Sequence, residues 1–212
     1  VADWVYNKEV NKTVTSSLKR DQREAEILDT ALDVFADLGF KKASVDEIAL
    51  RLSLSPGALY RYAADKRDLY KKAVARGFGL WQDEVRKAVA GMIDPVERFR
   101  TACRSAFSYL SRDARLRRVL ARDPGLFPFF EAEDPFSDIN RSSRELMEGI
   151  IRDGVAKGAF CAKDEADIQS ASRVIFSLYV LFVQKAYVAQ EAEEAALFER
   201  GLDLILDGLR VR

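Results

Sequence analysis

Apolar residues recur at three- and four-residue spacing along almost the whole of this chain, and that periodicity leaves little choice of architecture. No alternating run of convincing strand length interrupts it, and the prolines number only five. The expectation is an all-α protein of about nine helices. At 212 residues the chain is long enough to bury a real core, in one large domain or two small ones.

Composition narrows the function. Acidic and basic residues balance at 34 each, so any surface that binds nucleic acid has to be a local one. There is no histidine, no glycine-rich phosphate cradle, no metal cluster and no recognisable nucleophile with its base, so neither catalysis nor a cofactor is expected. Carboxylates such as Glu131 and Asp134 read as solvated loop residues. Cys103 and Cys161 lie far apart, without the short-spaced partners that zinc requires and without a secretory signal. They fit a reducing cytoplasm, as inert fillers or as a redox sensor. The most apolar stretch, "VIFSLYVLFV" at 174–183, is shorter than the roughly 20 residues of a bilayer span. It reads as a buried helix, with no membrane partner.

Residues 1–20 have weak periodicity and read as a flexible arm. The arm's basic end, Lys19 and Arg20 with Arg23 beyond, is either a solvated helix start or a contact to DNA. From Asp21 the pattern sharpens: Ile27, Ala31, Val34, Phe35 and Leu38 make one face, Gly39 ends the helix, and Phe40 folds back toward Phe35. "SVDE" is a capping box, with Ser44 and Glu47 each satisfying the other's end of a second helix that buries Ile48, Ala49 and Leu52. Ser53 and Leu54 leave only a tight turn before Ser55 caps a third helix opened by Pro56. Two short helices joined in this way form a helix-turn-helix. Further helices are expected from Asp65, after a stop at Gly91 near 95–111, and near 113–122, 137–157, 165–189 and 192–210.

A helix-turn-helix binds duplex DNA by laying its second helix in the major groove. Pro56, Gly57 and Ala58 keep the start of that helix slim, with Ser55 before them and free N–H groups that favour a phosphate. Leu59 should turn inward against Ile48 and Leu54, leaving Tyr60 and Arg61 toward the groove. Arg61 either reads a guanine edge or holds a phosphate. Lys66 and Ser44 are expected on the phosphate backbone.

The run at 27–69, "ILDTALDVFADLGFKKASVDEIALRLSLSPGALYRYAADKRDL", resembles the N-terminal domain of the TetR family of bacterial transcriptional regulators. The matching pieces are "A..VF...GF", "S.DEIA", "LSPGALYRY" and the lysine of "DKRDL", in order and at the family's spacing, over roughly a fifth of the chain. Two departures stand out. The turn glycine common in the family is Ser53, which either adopts a left-handed conformation at some cost or imposes another geometry. The aromatic that usually follows the recognition helix is Ala63, with Tyr62 one position earlier.

The resemblance implies a helix-turn-helix domain at 21–68 and a larger helical domain at 69–212 that dimerises and encloses an effector pocket. The function it implies is a ligand-responsive regulator, foremost a repressor released from a palindromic operator by a small apolar or aromatic effector. Phe107, Tyr109, Phe127, Phe130, Met147, Phe176 and Tyr179 are the pocket candidates, though aromatics at this spacing also build cores. Val174, Leu178 and Leu181 on one helix and Phe198, Leu202, Ile205 and Leu209 on the last are the dimer candidates, a four-helix interface with two-fold symmetry. The proline- and phenylalanine-rich connector at 123–136 is a lid or a buried loop. The competing reading is a helical adaptor that keeps a degenerate helix-turn-helix and binds no DNA. Acidic Asp29, Asp33, Asp37, Asp46 and Glu47 keep that alternative open.

Overall fold

The computed structural model describes residues 2–126, 136–188 and 194–211, and its regular elements are helices with one isolated bridge between Phe160 and Arg210. Two compact units divide the chain, 1–77 and 78–212.

In the first unit α1 is Ala2–Lys42, α2 Val45–Arg51 and α3 Pro56–Leu59; α4, Lys66–Val89, starts here and ends in the second unit. Helix α1 includes residues expected as a free arm, since no proline or glycine between 2 and 38 stops its propagation. Gly39 breaks it with φ 75° and ψ 160°, a backbone that suits glycine alone. Ile27, Ala31, Leu32, Val34, Phe35 and Ala36 are buried. Leu38, expected on that face, is 38% exposed at the last position before the break. Phe40 returns to stack on Phe35 with ring centroids 6.2 Å apart, and Tyr70 of α4 meets both rings at 4.9 and 5.1 Å. This aromatic contact draws the first turns of α4 into the unit, so the division falls after Gly77 instead of after residue 68.

The second unit holds the rest of α4 with α5 Pro95–Arg112, α6 Ala114–Arg122, α7 Ser137–Ala156, α8 Glu165–Val183 and α9 Glu194–Leu209. Gly91, at φ 75°, follows the end of α4. The carboxylates of Asp94, Asp113 and Asp164 accept first-turn N–H groups and fix the starts of α5, α6 and α8. One wide π turn, Gln184–Val188, extends α8, and the resulting 23-residue helix over Glu165–Tyr187 is long and apolar enough to cross a membrane by composition. Its apolar surplus divides between two faces. Ile168, Ile175, Val180 and Val183 are buried in the unit, while Val174, Leu178 and Leu181 are 58, 37 and 44% exposed.

On α9, Phe198 and Leu202 are 5 and 2% exposed, so these two dimer candidates belong to the core of the unit. Phe198 stacks on Phe107 at 4.0 Å and meets Phe182 edge-on. Outward on the same helix are Leu197 and Leu204, 49 and 66% exposed, with Ile205 and Leu209 half-buried.

Candidate DNA-reading unit and effector cavity

The turn between α2 and α3 is built around Ser53, which has φ 54° and is the one non-glycine residue at positive φ among the described residues. Leu54 N–H then reaches back to the Ala49 carbonyl at 2.9 Å, closing the end of α2. At the other end of α2, Ser44 Oγ accepts Glu47 N–H at 3.1 Å. The reciprocal half of the capping box is not made: the Glu47 carboxylate takes Arg51 Nε–H at 3.1 Å instead. Arg51, one turn along, brings a positive charge of its own, so its bond to the carboxylate is also an ion pair, which a neutral backbone N–H cannot form. That bond, with a second to Asp37, holds the Arg51 guanidinium's pKa above its usual value.

Helix α3 is a single turn. Ser55 precedes it in an extended conformation but makes no side-chain cap; its carbonyl accepts Ala58 N–H at 2.9 Å. Leu59 is 1% exposed and anchors the turn, as its apolar character demands. Pro56, Gly57 and Arg61 are exposed, Ala58 is half-buried, and Tyr60 is 54% exposed. Ala63 fills the buried position after the helix, and Tyr62 is half-buried.

A polar chain fixes this end of the unit. Lys72 Nζ donates to the Tyr62 carbonyl at 2.7 Å and pairs with Asp68 at 3.0 Å, and Asp68 also accepts Ala64 N–H at 2.9 Å. The Ala64 bond, then Lys72, holds the Asp68 carboxyl below the usual aspartate pKa. Lys66 turns inward instead of standing free for a phosphate: its Nζ donates to the Ala43 carbonyl at 2.8 Å and lies 4.7 Å over the Phe40 ring. Among the basic residues at the start of α1, Lys19 and Arg20 are exposed, whereas Arg23 pairs with Glu26 and reaches the Leu52 carbonyl.

The second unit holds a cavity of about 120 Å³ between α4, α5, α7 and α8. One water needs roughly 10–15 Å³ on this scale, so there is room for an organic molecule's apolar part. Phe78, Trp81, Ala102, Ala106, Ile175 and Phe176 give it mainly apolar walls. Trp81 Nε1–H and Tyr179 O–H both donate to the Ala106 carbonyl, at 2.8 and 3.1 Å. Burial pushes the Tyr179 phenol well above its usual pKa and the Cys103 thiol up to about 12, so both wall groups stay neutral. Ser172, fully buried, satisfies its hydroxyl on the Arg144 carbonyl at 3.1 Å.

Of the aromatic and methionine candidates, Met147, Phe176 and Tyr179 line this cavity. Phe107 does not, because it packs between Tyr187 and Phe198. Tyr109 lies flat behind Trp81 at 5.5 Å and donates to Asp113. Phe127 and Phe130 lie outside the described residues. The polar lining residues Gln82, Arg86, Asn140 and Ser143 had no apolar signal to betray them; only their recurrence at helical spacing beside Trp81 and Met147 could have done so. No group of His, Cys, Asp or Glu able to hold a metal ion occurs among the described residues.

A helical chain with a helix-turn-helix in one unit and an apolar cavity in another has the form of a one-component transcriptional regulator. Residues 27–73, the helix-turn-helix and the first turns of α4, match the model of bacterial regulatory proteins, tetR family. It is 32% identical over 103 residues to the HTH-type transcriptional activator FasR of Mycolicibacterium smegmatis, an overlap of 49% of this chain and 47% of FasR, about half of each. With the fatty acid metabolism regulator protein of Bacillus subtilis it shares 22% over 188 residues, 87% of this chain and 94% of that protein. The fold agrees. The crystal structure of the Bacillus subtilis regulator FadR with stearoyl-CoA superposes with a TM-score of 0.71 at 21% identity, covering 88% of this chain and 99% of that one. A TetR-family regulator from Pectobacterium atrosepticum gives 0.66 at 25% identity, covering 92% and 97%.

Proposed function

We propose that this chain is a homodimeric, ligand-responsive repressor that acts in the cytoplasm on a palindromic operator and is released by an apolar effector held in the α4–α8 cavity. The observation that carries the reading is the single turn at 56–59, which buries Leu59 and leaves Tyr60 and Arg61 exposed beside each other. Arg61 and Tyr60 face the major groove, Ser44, Ser55, Pro56, Gly57 and Ala58 approach the phosphate backbone, and Lys66 braces the corner that presents Ser44. The outward apolar row of Val174, Leu178 and Leu181, beside Leu197, Leu204, Ile205 and Leu209, supports a two-fold interface. That the relative from Bacillus subtilis was crystallised with stearoyl-CoA supports an effector with a long apolar part. Effector relieves repression only by preferring the conformation that does not fit the operator.

Selection of binders from random duplex DNA, with Arg61→Ala in parallel, tests this. A palindrome should emerge, and the variant should lose about 1–3 kcal/mol of discrimination at one position in each half-site. No enrichment at low salt would leave the helical adaptor in its place. Identity with the activator FasR favours a second reading, activation from the same operator. Transcription in vitro with the operator upstream of the promoter separates the two by the sign of the response.

A further inference from the structure

One side of the cavity is crossed by polar side chains arranged in register. Gln82 and Arg86 stand one turn apart on α4, and Ser142 and Ser143 are neighbours on α7; all four line the cavity. Gln82 Nε2 donates to Ser143 Oγ at 2.7 Å, and Arg86 Nη2 donates to Ser142 Oγ at 2.6 Å. The cavity partners of this guanidinium are therefore neutral, the Ser142 hydroxyl and, at 3.4 Å, the Gln82 amide oxygen, and its carboxylate neighbour Asp83, at 3.2 Å, stands on the exposed side of the same helix. A guanidinium offers five N–H donors in a fixed fork suited to carboxylate or phosphate, and a serine hydroxyl is a weak match for that fork. Asn140 adds an amide to the same rim, and Arg144, 5.5 Å over the Phe176 ring, adds a second cation beside the apolar wall. An anionic group arriving here displaces Ser142 from Arg86 and leaves each partner satisfied, the serine by water.

We propose that the Arg86–Ser142 bridge is the head-group site of the effector, which is an amphipathic anion with its charge at Arg86 and its apolar chain along Trp81 and Phe176. This rests on the reading of the cavity as the effector site and adds the class of ligand and the residue that selects it. Arg86 acts as a specificity residue: it discriminates the anion from a neutral molecule of the same length.

Titration of the full-length protein with dodecanoate, methyl dodecanoate and dodecanoyl-CoA, followed calorimetrically, tests it. Wild type should prefer the acid over the methyl ester by at least about tenfold, the worth of one charge-assisted bond. Arg86→Gln should abolish that preference while leaving the ester's affinity unchanged, and Arg86→Lys should restore part of it. Arg86 is solvent-exposed, and melting curves of the variants show whether the fold is kept. If the thioester loses affinity on Arg86→Gln as the acid does, the anion at the bridge is a phosphate of the larger head group; if only the acid does, it is a carboxylate. Equal binding of acid and ester to wild type, or a preference that survives Arg86→Gln, overturns the head-group site and leaves the cavity reading standing. If none of the three probes binds, both fall.

Discussion

Ser53 is the residue where this chain departs from the glycine its turn geometry calls for. A side chain in the left-handed region is strained by roughly 1–2 kcal/mol, and Ser53 adopts that region at φ 54° with no regular element to compensate it. Ser53→Gly should therefore stabilise the protein by about 0.5–1 kcal/mol, the gain being offset in part by the freer unfolded chain. Urea denaturation followed by circular dichroism checks it; a destabilised variant would mean that the serine hydroxyl, and not the backbone, holds the turn. Asp68 gives a pH-dependent counterpart. Its folded pKa lies below the ordinary value because of Ala64 N–H and Lys72, so the stability it adds is present above the ordinary aspartate range and lost as pH falls through the depressed folded value. Asp68→Asn should flatten that acid limb in a melting-temperature profile, and an unchanged acid limb would remove Asp68 from the account.

Helix by helix, the sequence is most legible where the signal is local. The expected caps at Ser44, Asp65 and Asp94 accept first-turn N–H groups, as Asp113 and Asp164 do at residue types of the same kind next to a periodic run, while Ser55, expected as a cap as well, makes no side-chain bond. What periodicity cannot separate is two apolar faces of one helix, because an outward leucine and an inward one carry the same signal. Phe198 and Leu202 read as interface and are core; Leu197 and Leu204 are the exposed pair; Phe107 and Tyr109 read as pocket and pack elsewhere. The polar bridge at the cavity is also illegible, since Arg86 and Ser142 become neighbours only when α4 and α7 meet. The distinction has a mutational consequence. Leu178→Glu should dissociate the proposed dimer with little loss of protomer secondary structure, whereas Phe198→Ala should cost about 3–5 kcal/mol of stability. Sedimentation velocity and thermal melting on both variants tell them apart; a monomer from Phe198→Ala at full stability would reverse the assignment.

At the scale of the whole molecule, regulation requires that occupancy of the cavity and engagement of DNA be linked through a shared conformational equilibrium. Helix α4 belongs to both units by sequence, carrying Lys66, Asp68 and Lys72 in the first and Trp81, Gln82 and Arg86 in the second. With neutral overall charge, the proposed operator affinity has to come from placement of a few cations, so its decline with salt should be governed by the number of phosphates they neutralise, with a slope near −0.9 for each.

The Ala106 carbonyl, shared by the Trp81 indole and the Tyr179 phenol, makes the cavity wall its own optical probe. The chain has two tryptophans, Trp4 and Trp81, so Trp4→Phe leaves a single emitter, in the cavity wall. An occupant that loosens the indole N–H from that carbonyl, or excludes water beside it, should shift and rescale the emission in proportion to occupancy. Fluorescence titration of that variant, with and without operator duplex, then reads both ligand events on one spectrum. An emission indifferent to a ligand that releases the DNA would locate the effector outside this cavity.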